Sequence, residues 1–202
     1  MARPRQITDE QILEAARRCF LEHGPSVSTT VIAEALGISH GVLFQRFGTK
    51  EELLKSALLP GEPGFIAELG AGPDARPIRE QLLVLARRIY GYFEETVPRM
   101  TLLRASGLPA KDLCAPGLGA VPAPVRAHRA LTGWLGRALE ARRVRPHNPE
   151  YVSYVMLGAL QARAFVRHVS GDPVVADDDS EYVATVIDLV CNSLEPDPRE
   201  TQ

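Results

Sequence analysis

The amino-acid sequence predicts an all-α protein: an N-terminal three-helix head of the helix-turn-helix type, followed by a larger helical domain. Three observations carry that prediction. Residues 28 to 55 hold two short helical patterns separated by Leu36-Gly37-Ile38-Ser39, the spacing of a helix-turn-helix. Longer segments before and after them repeat apolar residues at helical spacing. The 202 residues, 24% charged and 45% apolar, have the size and composition of one large helical domain with a small head.

The first helix is expected over Asp9 to His23, with Ile12, Leu13, Ala16, Cys19 and Phe20 on one stripe and acidic Asp9, Glu10 and Glu14 near its positive end. In the next, Ile32, Ala33 and Leu36 form the apolar side, and Gly37 supplies a left-handed terminus. Ser39 stands where an N-cap opens the following helix, whose apolar side carries Val42, Leu43, Phe44 and Phe47. Thr49 and Glu52 have the spacing of a capping box and start a fourth helix. The Pro60 to Gly64 and Gly70 to Pro77 clusters end it and delay the next helix to Ile78. That helix runs to about Thr96, and a separate short one led by Pro98 reaches Ala105. Gly107 to Pro124 reads as a long irregular loop, expected to lid a ligand pocket. Helices over Pro124 to Val144, Pro149 to Val169 and Ser180 to Leu194 complete the chain, with domains drawn at 1–55 and 56–202.

Composition limits the function. The net charge of −2 is not that of a protein held to nucleic acid by bulk charge. Residues 1 to 55 carry seven basic side chains (Arg3, Arg5, Arg17, Arg18, Arg46, Lys50, Lys55) against seven acidic ones, so any DNA affinity depends on where the charges sit. Arg3 and Arg5 form a basic arm that either enters a minor groove or has no fixed structure. With no long apolar stretch and no secretory leader pattern, the expected location is the cytoplasm. Cys19, Cys114 and Cys191 lack the spacing of a zinc site or a disulfide framework, and Cys114 is an incidental or thiol-sensitive loop residue. The five histidines show no metal spacing, and no nucleophile or phosphate-cradling motif occurs. Neither an enzyme, a cofactor nor a metal is therefore expected. Arg142, Arg143 and Arg145 read as a solvated helix terminus, and the Asp177 to Asp179 run as a helix cap rather than a metal cluster.

Residues 8 to 56 closely resemble the DNA-binding domain of the TetR family of bacterial transcriptional regulators. The resemblance rests on Ile12 to Ala16, Phe20, Gly24, Ile32 to Ser39, Gly41, Leu43 and Phe47 to Leu53, about a quarter of the chain. Helix termini and hydroxyls donate to phosphates, which suggests backbone contacts for Ser28 and Thr29 and a base or phosphate contact for Thr30. The family match then implies Ser39, His40, Gly41, Val42, Phe44, Gln45 and Arg46 on the DNA side, with Lys50 as a phosphate contact. Gln45 can pair with adenine, Arg46 with guanine or phosphate, and Val42 can meet a thymine methyl. Phe44 stands where the family often has a tyrosine, so a hydroxyl contact is lost there. His40 replaces a commoner lysine or polar residue, and its charge varies with pH. The turn from Gly24 to Val27 is about one residue short.

The same resemblance implies a homodimer on a near-palindromic operator, with the larger domain binding a small-molecule effector of unidentified structure. The candidate lining is Tyr90, Phe93, Met100, Leu103, Trp134, Met156, Gln161 and Phe165, a set that also suits an ordinary core. The dimer interface falls on the last two helices through Val155, Ala159, Ala162, Val183, Val186, Ile187 and Val190, which either pair with a second copy or finish one core. The expected function is a repressor released by its effector through a population shift. The competing expectation is a helical small-molecule-binding protein without sequence-specific DNA binding.

Overall fold

The computed structural model describes residues 7–109, 121–171 and 178–194, and every regular element among them is a helix. In chain order these are α1 Asp9–His23, α2 Thr29–Leu36, α3 His40–Phe47, α4 Lys50–Leu58, α5 Phe65–Ala71, α6 Ile78–Ala105, α7 Ala123–Glu140, α8 Pro149–Ser170 and α9 Asp179–Leu194. Two compact units result, one from Met1–Gly61 and Pro98–Pro116, the other from Glu62–Val97 and Gly117–Gln202. The division expected after residue 55 therefore moves, because Ala57 and Leu58 are buried in the first unit's core.

In the first unit α1 packs on α2 and α4, and α3 bridges α2 and α4. Ile12, Phe20, Ile32, Leu43, Leu53 and Leu58 meet in one core. Local chemistry sets the ends. Thr8 and Gln11 form a capping box at α1, and Thr49 and Glu52 form the expected one at α4. Gly37 takes the left-handed conformation (φ 65°, ψ 29°), and its N–H donates to the carbonyls of Ala33 and Glu34. Ser39 has the extended backbone of an N-cap, but its hydroxyl makes no capping hydrogen bond.

Three expectations are corrected. The Phe65 and Leu69 side chains, one turn apart and both buried, form α5 between the two breaker clusters. No separate helix begins at Pro98: α6 runs unbroken from Ile78 to Ala105 with Pro98 inside it. A proline there costs a helix about 3 kcal/mol, and burial of the apolar Val97 and Leu103 on either side of it offsets that loss. Leu103, with Met100 packed beside it, belongs to the core of the first unit and not to the larger domain.

The second unit buries Leu82, Ile89, Leu131, Trp134, Met156, Leu160 and Ile187 in a single cluster. Its arginines close backbone ends. Arg143 donates to the carbonyls of Asp74 and Arg76, and Arg145 to those of Asn192 and Ser193 at the end of α9. These two are thus not merely a solvated terminus. Asp178 accepts from the N–H groups of Ser180 and Glu181 as a helix cap, whereas Asp177, Cys114, Arg3 and Arg5 lie outside the described residues, as does most of the proposed lid.

A polar network ties α8 to α9. The Arg163 guanidinium, its side chain 5% exposed, donates to Asp179 at 2.8 Å and lies 4.8 Å over the ring of Tyr182. Burial alone would raise the Asp179 carboxyl, but Arg163, Tyr90 and Arg167 hold it below the usual carboxylate range. Burial, and then the neighbouring Asp179, push the Tyr90 hydroxyl up to about 12, so it stays neutral. A depressed folded pKa stabilises the protein above the unfolded carboxylate value of about 4 and loses that stability as pH falls through the folded one. Asp179→Asn is expected to cost on the order of 1–3 kcal/mol at neutral pH, because it strips a buried guanidinium of its carboxylate. It should also flatten the acid limb of stability. Urea titrations between pH 3 and 7 check both, and an unchanged acid limb would remove Asp179 as its source.

Candidate nucleic-acid interface

The two eight-residue helices α2 and α3 present one exposed surface across the Gly37 turn. Ile32, Ala33 and Leu43 point into the core, while Ser28, Thr30, Ser39, His40, Gly41, Phe44 and Gln45 are exposed and Val42 is half-buried. Helical spacing explains the division, since 40, 41, 44 and 45 fall on one side of α3 and 43 and 47 on the other. Ser28 accepts from the N–H of Thr30 at 3.2 Å, and the Ser39 hydroxyl is left for an outside acceptor. Lys50, on the first turn of α4, makes no ion pair among the described residues, in contrast to Lys55 with Glu51 and Arg17 with Glu14. A cation beside exposed hydroxyls and helix N-termini suits a phosphate backbone.

Gly41 adds a second indication. A Cβ built there would meet nothing nearer than the Ser39 hydroxyl at 3.9 Å, so no packing inside the unit requires a glycine. Within a helix it costs roughly 1 kcal/mol against alanine. The glycine leaves the α3 backbone bare on its exposed face.

Two expected contacts sit differently. Thr29 is buried, 7% exposed, and its Oγ1 lies 2.7 Å from Nε2 of His40, so its hydroxyl is turned to the protein and not to a phosphate. Arg46 donates to the Ile7 carbonyl at 2.6 Å and to Asp9 at 3.1 Å, which fastens the start of α1 to α3. A contact to guanine requires that pair to open. Nothing in the local sequence signals either bond, because the partners are 11 and 37 residues apart.

In the second unit the expected ligand lining does not assemble as one surface. Tyr90, Trp134 and Met156 are core residues, and Phe93 packs against that core. Gln161 and Phe165 are exposed on α8, and Met100 and Leu103 belong to the first unit. A cavity of about 340 Å³ lies elsewhere, walled by Ile78, Val144, Cys191 and Leu194 with Arg79 and Arg143 as its charged members. The signals for it were the arginine cluster and the apolar side of α9, read separately in the sequence.

The expected interface is also redistributed. Val183, Val186, Ile187 and Val190 are buried in the core of their own unit, which removes the reason to assign them to a second copy. The exposed apolar face belongs to α8, where Tyr151, Val155, Gly158, Ala162, Phe165 and Val169 follow one another at steps of four and three. Val155 is 63% and Val169 64% exposed. Ala159 is half-buried, and its carbonyl accepts from the Tyr182 hydroxyl. No helix among the described residues is long and apolar enough to cross a membrane, and no group of metal-binding side chains occurs among them.

Residues 12–57 match the family of bacterial regulatory proteins, tetR family. The chain is 27% identical to the HTH-type transcriptional repressor Rv1474c of Mycobacterium tuberculosis over 91% of each chain. Among solved structures, the TetR family transcriptional regulator PfmR of Thermus thermophilus superposes with a TM-score of 0.66 at 25% identity, over 92% of this chain and all of that one. The regulator FadR of Bacillus subtilis, solved in complex with stearoyl-CoA, gives 0.67 at 14% identity over 92% of this chain and 99% of that one.

Gly41→Ala separates the demands of helix and partner. It is expected to stabilise the first unit by up to about 1 kcal/mol, seen as a higher thermal midpoint. It should also weaken binding to duplex DNA, because the added methyl stands on the exposed face. A variant that gained stability with undiminished DNA affinity would free Gly41 of any role at the interface.

Proposed function

We propose that this chain, a regulator of transcription with the TetR-family DNA-binding domain at its N-terminus, is a homodimeric repressor whose grip on a near-palindromic operator is loosened by a small molecule. The observation that carries the reading is the exposed α2–α3 surface, where Gln45 and His40 flank a bare Gly41, and Lys50 at the next helix start makes no ion pair among the described residues. Gln45 supplies the bidentate geometry that adenine recognises, and Lys50 the sequence-independent charge. A gel-shift assay on the duplex that precedes the protein's own gene tests it. Specific retardation is expected, and Lys50→Ala should weaken all DNA alike while lowering the salt slope by about one unit.

Dimerisation is supported by the face of α8. Its repeat of four and three is that of a two-helix seam, with Gly158 and Ala162 small enough for backbones to approach closely. Two copies then set two recognition helices about 34 to 36 Å or somewhat more apart on one side of the duplex. Val155→Glu is expected to give a folded monomer by light scattering and to lose operator affinity. Val186→Glu, by contrast, should unfold the second unit, since it puts a charge into a core. A Val155→Glu protein that remained dimeric would move the interface off α8.

The second unit is the seat of the effector, a small apolar molecule, in this reading. The described cavity has a mainly apolar wall with two arginines in it and a volume within the range of ligand pockets, and a neighbour in fold was solved in complex with stearoyl-CoA. An effector acts by preferring one conformer, and it shifts the equilibrium by its differential affinity alone. A library of apolar and aromatic compounds screened by thermal shift is expected to yield stabilisers that also release the operator. Stabilisers that all left operator affinity unchanged would refute the effector switch.

A further inference from the structure

Thr29 sits between two exposed residues, Ser28 and Thr30, yet is itself buried. A buried hydroxyl is costly unless its hydrogen finds an acceptor. The acceptor in reach is Nε2 of His40, 2.7 Å away across the helix-turn-helix. When Thr29 O–H donates to Nε2, the proton of a neutral imidazole resides on Nδ1. The ring is held from a second side by Phe44, one turn further along α3, with centroids 4.4 Å apart and planes at 56°. Fixed at both points, His40 keeps an exposed ring whose Nδ1 has no hydrogen-bond partner among the described residues.

We propose that Thr29 and Phe44 are positioning residues that hold His40 as the Nδ1–H tautomer and aim that N–H at a hydrogen-bond acceptor of the DNA. Thr29 thereby acts on DNA only through His40, and Phe44, lacking a hydroxyl of its own, supplies the surface on which the imidazole rests. The inference rests on the α2–α3 surface being the DNA-binding one. A phosphate oxygen and a base-edge acceptor offer the same chemistry to an N–H donor. They differ in consequence, since the first gives a contact indifferent to sequence and the second a base preference.

Long-range proton–nitrogen NMR of the DNA-free protein, at a pH where the imidazole is neutral, reads the tautomer directly. His40 is expected to carry its proton on Nδ1 in the natural protein and in Thr29→Ser, and to revert to a tautomer mixture in the isosteric Thr29→Val. On the duplex preceding the protein's own gene, Thr29→Val and His40→Ala should each lose about tenfold in affinity, with Thr29→Ser restoring most of it. The double variant should lose no more than His40→Ala alone. Equal losses on all duplexes identify a phosphate, and a changed preference at one base pair identifies a base. A proton on Nε2 of the natural protein, or a Thr29→Val loss that persists in full when His40 is already alanine, overturns the proposal. A natural protein that binds no duplex removes the regulator reading itself, and the tautomer in the free protein still decides whether Thr29 positions His40. Circular dichroism of Thr29→Val guards against a loss of fold, and Thr29→Ser supplies the comparison if the valine variant fails to fold.

Discussion

The exposed α2–α3 surface depends on two helices that are too short to exist by themselves. An isolated helix of eight residues has too few hydrogen bonds to repay nucleation, so α2 and α3 form only because Ile32, Ala33 and Leu43 are buried against α1 and α4. The Gly37 turn sets their mutual angle, with one N–H satisfying two carbonyls of α2. Thr29 and His40 then join the two helices side chain to side chain. Every residue that faces outward from α3 takes its position from that small core. The stretch around Leu103, which follows the proline in α6, adds a further apolar residue to it.

Charge acts through placement in both units. The first has only a small excess of basic residues to offer, ten against eight acidic ones, and several of its cations are already engaged: Arg17 with Glu14, Lys55 with Glu51 and Arg46 with Asp9. Exposed pairs of that kind contribute little to stability, whereas Lys50, on the first turn of α4, makes no ion pair among the described residues. The second unit spends its arginines on the backbone. Arg137 donates to the carbonyl of Leu69, Arg143 to the turn before α6 and Arg145 to the end of α9. A planar fork with several donors suits such carbonyl clusters better than an ammonium does, and the unit is rich in arginine and has no lysine.

Helix faces and termini were legible in the sequence because they are set within a few residues. The stripe Ile12, Ala16, Cys19 and Phe20, the glycine at 37, the capping box from Thr49 to Glu52 and the Asp178 cap all follow from spacing and side-chain chemistry alone. From them came the all-α class and the resemblance of the N-terminal segment to the tetR family, whose model matches residues 12–57. The tertiary structure decided what burial decides. It carried α6 through Pro98, made a helix of Phe65 to Ala71, kept Val183, Val186, Ile187 and Val190 inside one chain, and left the face of α8 exposed. It also turned Thr29 inward to His40 and tied Arg46 to Asp9. An amphipathic pattern states that one side of a helix will be buried, but not against what. Which neighbour covers it depends on packing between residues far apart in the chain, and the local pattern holds no record of that.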